Sequence, residues 1–452
     1  MSSDTIYALA TAPGKSGIAV IRLSGARALP ALKALSGLAD IAPRLAHYVT
    51  FRSPANEPID RGMALYFKAP HSFTGEDVVE LQIHGSLAVI RQFLDILGSL
   101  DELRPAEPGE FSRRAFTNGK MDLLEAEGLA DLIDAETPAQ KTQAMRQLQG
   151  ELSGHYDDLR RRVTHCLAQL EATIDFPDEE IPPSVLADLE RNMEMLNSAI
   201  RASLQDEKRG ERLRGGINVV ILGAPNAGKS SLLNTLAQRD AAIVSARAGT
   251  TRDLIEVHLD MAGYPVVLVD TAGIRDSADE LEKEGVRRAL ARAGQADIKL
   301  VLFDGEKWPH MDEVSRGLID YNTLIIISKC DLLNPADGEA VAQDPAQPLR
   351  VSQDLYSIST KTGQGIERLL AELERRIISF FSSHAAPFIT RHRHRALLEE
   401  ALQRLENALK DVPQELKCEE LRQAALSIGK ITGKIQVDDV LDVVFREFCI
   451  GK

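Results

Sequence analysis

Eight consecutive residues, Gly223-Ala224-Pro225-Asn226-Ala227-Gly228-Lys229-Ser230, have the spacing G-x-x-x-x-G-K-[ST]. The chemistry asks for each type. Glycines let backbone N–H groups curl around phosphate oxygens, and a following helix N-terminus adds its dipole. A lysine here, Lys229, reaches β- and γ-phosphates, and a hydroxyl, Ser230, ligates Mg²⁺. The context is right for such a loop. The apolar run Ile217–Leu222 precedes it, and a helix opens through Ser231-Leu232-Leu233. Two partial copies fail. Gly14-Lys15-Ser16 has Leu9 at the first glycine position, and Gly429 to Lys434 is one residue short.

Four further segments complete the nucleotide site. Asp270-Thr271-Ala272-Gly273 ends an apolar run, where Asp270 can hold Mg²⁺ through water and the Gly273 N–H can sense a γ-phosphate. In Gly249-Thr250-Thr251-Arg252-Asp253, Thr251 is the residue expected to close onto Mg²⁺. In Ser328-Lys329-Cys330-Asp331, Asp331 can accept from guanine N1 and N2, donors that adenine lacks, while Lys329 lies across the base. Ser359-Thr360-Lys361 can support the base oxygen through backbone N–H groups. Together these predict GTP. Ser328 stands where an Asn is usual, which predicts weaker binding with guanine selectivity retained. Ile274 stands where Ras-like enzymes orient water with Gln. A polar substitute must come from elsewhere, and Asp276, Asp279, Glu280, Glu282 and Glu284 are all candidates.

The elements that position these residues follow from pattern. Strands are expected at Ile217–Leu222, Val266–Val269, Lys299–Phe303, Leu324–Ile327 and Tyr356–Ser359, alternating with helices as in a buried parallel sheet. Residues 1 to about 118 mix short strands, such as Ile18–Leu23 and Val78–Ile83, with Pro/Gly turns, an α+β pattern. From Met121 to about Gly210 the apolar spacing is helical, interrupted by the proline-rich stretch Phe176–Pro183. After Pro387 it is helical again to Phe448. The two helical stretches are expected to pack together, making the α/β block an insertion. The predicted domains are 1–118, 119–212, 213–380 and 381–452.

Bulk properties narrow the class. A chain of 452 residues allows roughly two to four domains. Its net charge of -14 argues against a globally basic nucleic-acid binder. RNA contact would need a local patch, for which Arg160–Arg162 and Arg391–Arg395 qualify, although a solvated helix face is the commoner explanation. No run is long enough to span a membrane, and Met1 to Ala12 lacks a signal-peptide pattern. Cys166, Cys330, Cys418 and Cys449 are widely spaced, against a disulfide framework or zinc site. A cytoplasmic location is expected.

Several specific stretches resemble the MnmE (TrmE) family of tRNA modification GTPases along nearly the whole chain. They are Asp4-Thr5-Ile6, Pro13-Gly14, Ile21–Gly25, Ser72–Glu80, His84-Gly85, Pro108–Phe111 and Arg114–Leu123. Phe448-Cys449-Ile450-Gly451-Lys452 resembles the family's Cys-x-Gly-Lys signature, which general GTPases lack. The resemblance implies an α/β P-loop GTPase domain inserted in an all-α helical domain, preceded by an α+β folate-binding-like domain through which a homodimer forms. It implies a flavoprotein partner, MnmG (GidA). It also implies formation of 5-carboxymethylaminomethyluridine or its 5-aminomethyl relative at the tRNA wobble position, U34. A tetrahydrofolate derivative, 5-formyl or 5,10-methylene, would supply the one-carbon unit.

By motif match, Arg22, Glu80 and Lys120 would lie near the folate, Lys452 would reach the same region, and Cys449 would act there. K⁺ would replace an arginine finger, ligated by Asn226 with Ser245, Arg247 and Thr250. The segment Ser245-Ala246-Arg247-Ala248-Gly249-Thr250-Thr251 would line the nucleotide, and Glu282 would be the catalytic glutamate. The rival functions are a ribosome-assembly switch and a GTP-regulated folate-dependent aminomethyltransferase.

Overall fold

The computed structural model describes residues 4–175, 183–206, 208–239, 255–270, 293–294, 296–333, 355–382, 387–435, 441, 444–446, 448–449 and 451. The chain forms two compact units. The first comprises Met1–Ile133, Met145–Ser198 and Leu397–Lys452, and the second Asp134–Ala144 and Ala199–Ala396.

In the first unit, β1 (Thr5–Leu9), β2 (Ser16–Ser24), β3 (His47–Arg52), β4 (Pro58–Phe67), β5 (Val78–Gly85) and β6 (Leu103–Pro105) form one sheet. Its order is β3-β4-β5-β2-β1-β6. Only the β1–β6 pair is parallel. Alternation along the strands sorts the side chains. Ile21, Leu23, Val79, Leu81 and Ile83 point into a core shared with α1 (Ala28–Ser36) and α2 (Leu87–Gly98). Arg22 and Glu80 therefore fall on the opposite face. That face is partly covered by α3 (Glu110–Thr117), whose Phe111 clusters with Ile6, Ala8 and Phe73.

The helices of this unit include α4 (Leu123–Asp134) and α6 (Glu151–Asp175), with α5 (Pro138–Leu148) between them in sequence. The chain continues through α7 (Pro183–Leu204), α8 (Arg209–Gly215), α9 (Lys229–Arg239), α10 (Glu313–Gly317), α11 (Ile366–Phe381), α12 (His392–Ala408) and α13 (Gln414–Ile431). The helices before and after the α/β block do pack together. α13 lies on α6, with Arg422 on Glu171 at 2.8 Å, and just beyond α13 Lys434 meets Asp157 of α6 at 2.6 Å. The helical stretch expected after Pro387 is present as two helices, separated at 409–413 and followed by a turn at 432–435. Of the expected proline-rich elbow, residues 176–182 lie outside the described residues.

In the second unit, β7 (Ile217–Gly223), β8 (Ile255–Met261), β9 (Tyr264–Asp270), β10 (Ile298–Asp304), β11 (Thr323–Ser328) and β12 (Leu355–Ser357) form a sheet of order β12-β11-β10-β7-β9-β8. The continuous apolar runs are explained by burial on both faces. Ile217, Val219 and Ile221 enter one cluster with residues of α9 and α11, whereas Val220 and Leu222 enter another with Trp308 and Leu318. The five expected strands run parallel, and one edge strand, β8, was not expected. β8 pairs antiparallel with β9 through the turn Ala262-Gly263, both at positive φ (53° and 86°). That is the two-residue hairpin geometry matched to strand twist. No helix among the described residues is long and apolar enough to cross a membrane.

Candidate functional site

β7 delivers the chain into the glycine loop and α9 begins at Lys229. Gly223 has φ 146°, and a Cβ there would lie 2.5 Å from the Leu302 carbonyl oxygen. No other residue type lets the loop leave the sheet so close to β10. Gly228 has φ 92° and Asn226 φ 64°, so the loop turns through left-handed backbone at both. Ala227 is buried beneath it and Ser231 is exposed at the helix start. Lys229 is folded inward, its Nζ donating to the carbonyls of Gly223 and Ala224 at 2.8 Å each. Burial pushes its pKa down, against the pull of Asp270 and Asp312. Ser230 Oγ donates to Asp270 Oδ2 at 2.7 Å, and Asp270 is fully buried at the end of β9. A hydroxyl and a carboxylate in contact beside a phosphate cradle form a donor set that suits Mg²⁺.

Two strands away, β11 ends at Ser328, whose buried hydroxyl donates to the Phe303 carbonyl at 3.1 Å. Lys329 has φ 54° and its Nζ meets Asp304 Oδ2 at 2.7 Å. Asp331 is exposed, and a hydrogen bond from Ser359, with the charge of Lys361 beyond it, holds its carboxyl below the usual range. Cys330 N–H donates to the Ile358 carbonyl at 2.9 Å, tying this loop to the one carrying Ser359, Thr360 and Lys361. The expected strand Tyr356–Ser359 stops at Ser357. Ser359 instead closes a turn, its N–H on the Gln364 carbonyl and its Oγ accepting from Thr362 N–H. Ser328, Lys329, Asp331 and Ser359 are thus gathered at neighbouring strand ends.

In the first unit, Arg22 and Glu80 face each other across β2 and β5 in register. The Arg22 Nε and Nη2 donate to Glu80 Oε1 at 3.0 and 2.9 Å. The guanidinium lies over the rings of Phe73 and Phe111 at 5.6 and 5.8 Å, an arrangement that favours a cation. Lys120 Nζ donates to the Pro70 carbonyl at 2.8 Å, so the 70–76 loop touches both cations. Gly451, at φ 102°, leaves no space for a Cβ beside Leu9 and Ala10. The tail carrying the exposed Cys449 is thereby brought to β1, which pairs with β2 at Ala8↔Arg22.

A charged network beside this site was not expected. Arg114 donates to Glu76 at 3.1 Å, Glu110 at 3.0 Å and Asp4 at 3.2 Å, and Arg104 binds Glu110 at 2.6 Å and also Asp4. Burial alone would raise Glu110, but hydrogen bonds from Arg104, the Glu107 N–H and Arg114 hold it below the usual range. Only the Glu110–Arg114 spacing of four was visible beforehand. The basic run Arg391–Arg395 needs a correction. Arg391, His394 and Arg395 are buried, and Arg395 binds Asp206 at 2.7 Å and Glu211 at 2.9 Å, so these three are internal and not a solvated or RNA-facing patch. The expected residues Ser245, Ala246, Arg247, Ala248, Gly249, Thr250, Thr251, Thr271, Ala272, Gly273, Glu282 and Lys452 lie outside the described residues.

A mostly parallel sheet whose inner strand runs through a glycine loop into a helix, with Lys229 and Ser230 at the turn, defines a P-loop nucleotide-binding protein. A profile described as "GTP-binding protein TrmE N-terminus" matches residues 5–120, and one described as "MnmE helical domain" matches 123–449. The chain belongs to the MnmE (TrmE) family. It is 51% identical over 450 residues to the tRNA modification GTPase MnmE of Paramagnetospirillum magneticum, covering 100% of both chains. The MnmE of Rhodospirillum rubrum is 48% identical over 465 residues, with 100% of each covered. A mitochondrial 5-taurinomethyluridine-tRNA synthase subunit of Danio rerio, GTPB3, is 45% identical over 468 residues, covering 99% of this chain and 93% of that one.

Proposed function

We propose that this MnmE-family GTPase is K⁺-dependent. With an MnmG-type flavoprotein it would build the 5-carboxymethylaminomethyl or 5-aminomethyl-type group on the wobble uridine of certain tRNAs. The relatives named for tRNA modification support the substrate. The contact of Ser230 with Asp270 beside the inturned Lys229 is the observation that carries the hydrolytic site. The same reading takes residues 1–118 as a folate-binding and dimerisation domain. Residues 119–212 and 381–452 then make one helical domain around a GTPase domain at 213–380.

On this reading Lys229 would exchange two backbone carbonyls for phosphate oxygens, and Ser230 and Asp270 would be the residues that hold Mg²⁺. Asp331 reads the guanine N1 and N2 donors while Ser359 keeps its carboxylate ionised. Bound Mg²⁺ and K⁺ supply positive charge that offsets the charge developing on the transferring phosphoryl group. Asn226 in the loop, with Ser245, Arg247 (through its backbone carbonyl) and Thr250, would supply oxygen ligands to K⁺. Glu282 positions the attacking water through a second water. At the other site, two cations, a carboxylate and two aromatic rings suit a tetrahydrofolate, with Arg22, Glu80 and Lys120 orienting it and the Cys449–Lys452 tail close by.

GTP turnover measured in K⁺ and in Na⁺ tests the hydrolytic half. K⁺ should stimulate the wild type, and Glu282→Ala should bind GTP normally but lose about a hundredfold of the stimulated rate. Equal rates in the two salts, or unchanged turnover in the variant, would contradict it.

A further inference from the structure

Three consecutive residues at the carboxyl end of β10 brace the loop that holds Lys329. The Phe303 carbonyl accepts the Ser328 hydroxyl at 3.1 Å. Asp304 uses both carboxylate oxygens: Oδ2 takes Lys329 Nζ at 2.7 Å, and Oδ1 accepts the Glu306 N–H at 3.1 Å, capping the turn Gly305–Lys307. A Cβ on Gly305 would lie 2.5 Å from the Ser328 carbonyl oxygen and 3.1 Å from that of Lys329, so the two backbones meet without room for a side chain.

Lys329 is an awkward residue to hold ready. Its backbone is left-handed at φ 54°, which costs a residue with a Cβ. Its side chain has four rotatable bonds, and ordering them costs entropy unless the far end is fixed. Asp304 fixes that end. The side chains of the pair are only 12% (Asp304) and 33% (Lys329) exposed, so the attraction is screened less than on an open surface. The ammonium is drawn toward β10, and the apolar stem is left as the part available to a flat ring.

We infer that Asp304 is a positioning residue for guanine recognition, ordering the Lys329 stem before nucleotide arrives. Affinity then depends on a residue outside the Ser328–Asp331 motif. The inference rests on the reading of Lys329 and Asp331 as the guanine-binding groups.

The test uses the full chain and titration with a fluorescent GDP. Asp304→Asn keeps an Oδ1 acceptor for the Glu306 N–H, so the turn cap survives while the negative charge facing Lys329 Nζ is lost. GDP affinity should fall about tenfold, the scale of a charged hydrogen bond. The KM for GTP should rise with kcat unchanged. In a Lys329→Gln background the same substitution should cost less than about twofold, because the partner is already gone. Gly305→Ala, which displaces Ser328-Lys329 from the other side, should also weaken GDP. Unchanged affinity in Asp304→Asn, or an equal loss in both backgrounds, would overturn the inference by reducing Asp304 to a turn cap. GDP against ADP binding to the wild type reads the underlying assignment separately. No preference overturns the guanine reading itself, whereas a kept preference with uncoupled Asp304 overturns only the inference.

Discussion

The phosphate loop of the second unit takes its groups from one unbroken stretch, residues 223–231, with Asp270 as the main outside contributor. The Arg22 site of the first unit is gathered from β2, β5, the 70–76 loop and the segment after α3. The first is made largely of backbone, so its specification is glycine spacing. The second is made of side chains on separate strands, so its specification is register. A one-residue slip of β2 against β5 would turn Arg22 into the core and abolish the pair. The consequence is that the loop's chemistry can be damaged locally, whereas the first site is guarded by the packing and charge network around it.

The largest effect should come from that network. Arg114 is nearly buried, and Arg114→Met would remove the guanidinium bound to Glu76 and one of the two bound to Glu110. Roughly 3 kcal/mol of stability should be lost, read by urea unfolding. The network also predicts acid sensitivity. Glu110 is held below its ordinary value of 4.5 and Asp4 below 3.8 by arginines that overcome burial. Groups with lowered folded values contribute stability above the unfolded pKa and lose it as pH falls through the folded one. Unfolding of the wild type should therefore ease on acidification below the ordinary carboxylate range. Arg114→Met should flatten that dependence, and a parallel curve would remove the network from the account.

Next in size, Lys229→Ala should weaken GTP by about a hundredfold, roughly the loss of one strong or two ordinary charged hydrogen bonds. Isothermal titration would show it. An effect on urea stability as large as that of Arg114→Met would blur the contrast between a local loop and a packed network.

This contrast also governs what was legible beforehand. The gathering of Gly223–Ser230, Asp331 and Ser359 could be read from the chain because each motif follows closely on a strand. Arg22 and Glu80 were legible only through resemblance, since their meeting depends on a register between residues 58 apart. Arg395 was misread for the same reason, its partners Asp206 and Glu211 lying 189 and 184 positions away. β8 was missed because Ala262-Gly263 lacks the Asn-Gly or Asp-Gly pair that usually marks a two-residue hairpin. That oddity supplies the smallest prediction. Ala262 sits at φ 53° where a Cβ is costly, so Ala262→Gly should stabilise the hairpin by about 1 kcal/mol, seen as a raised Tm. A lowered Tm would mean the turn is not strained.

Both sites serve one proposed outcome, a modified wobble uridine, and mass spectrometry of wobble nucleosides reads it most directly. In a strain lacking this gene, the tRNAs concerned should carry unmodified uridine, and the 5-carboxymethylaminomethyl or 5-aminomethyl-type base should return when the wild-type chain is supplied. Normal wobble nucleosides in the deletion strain would contradict the account.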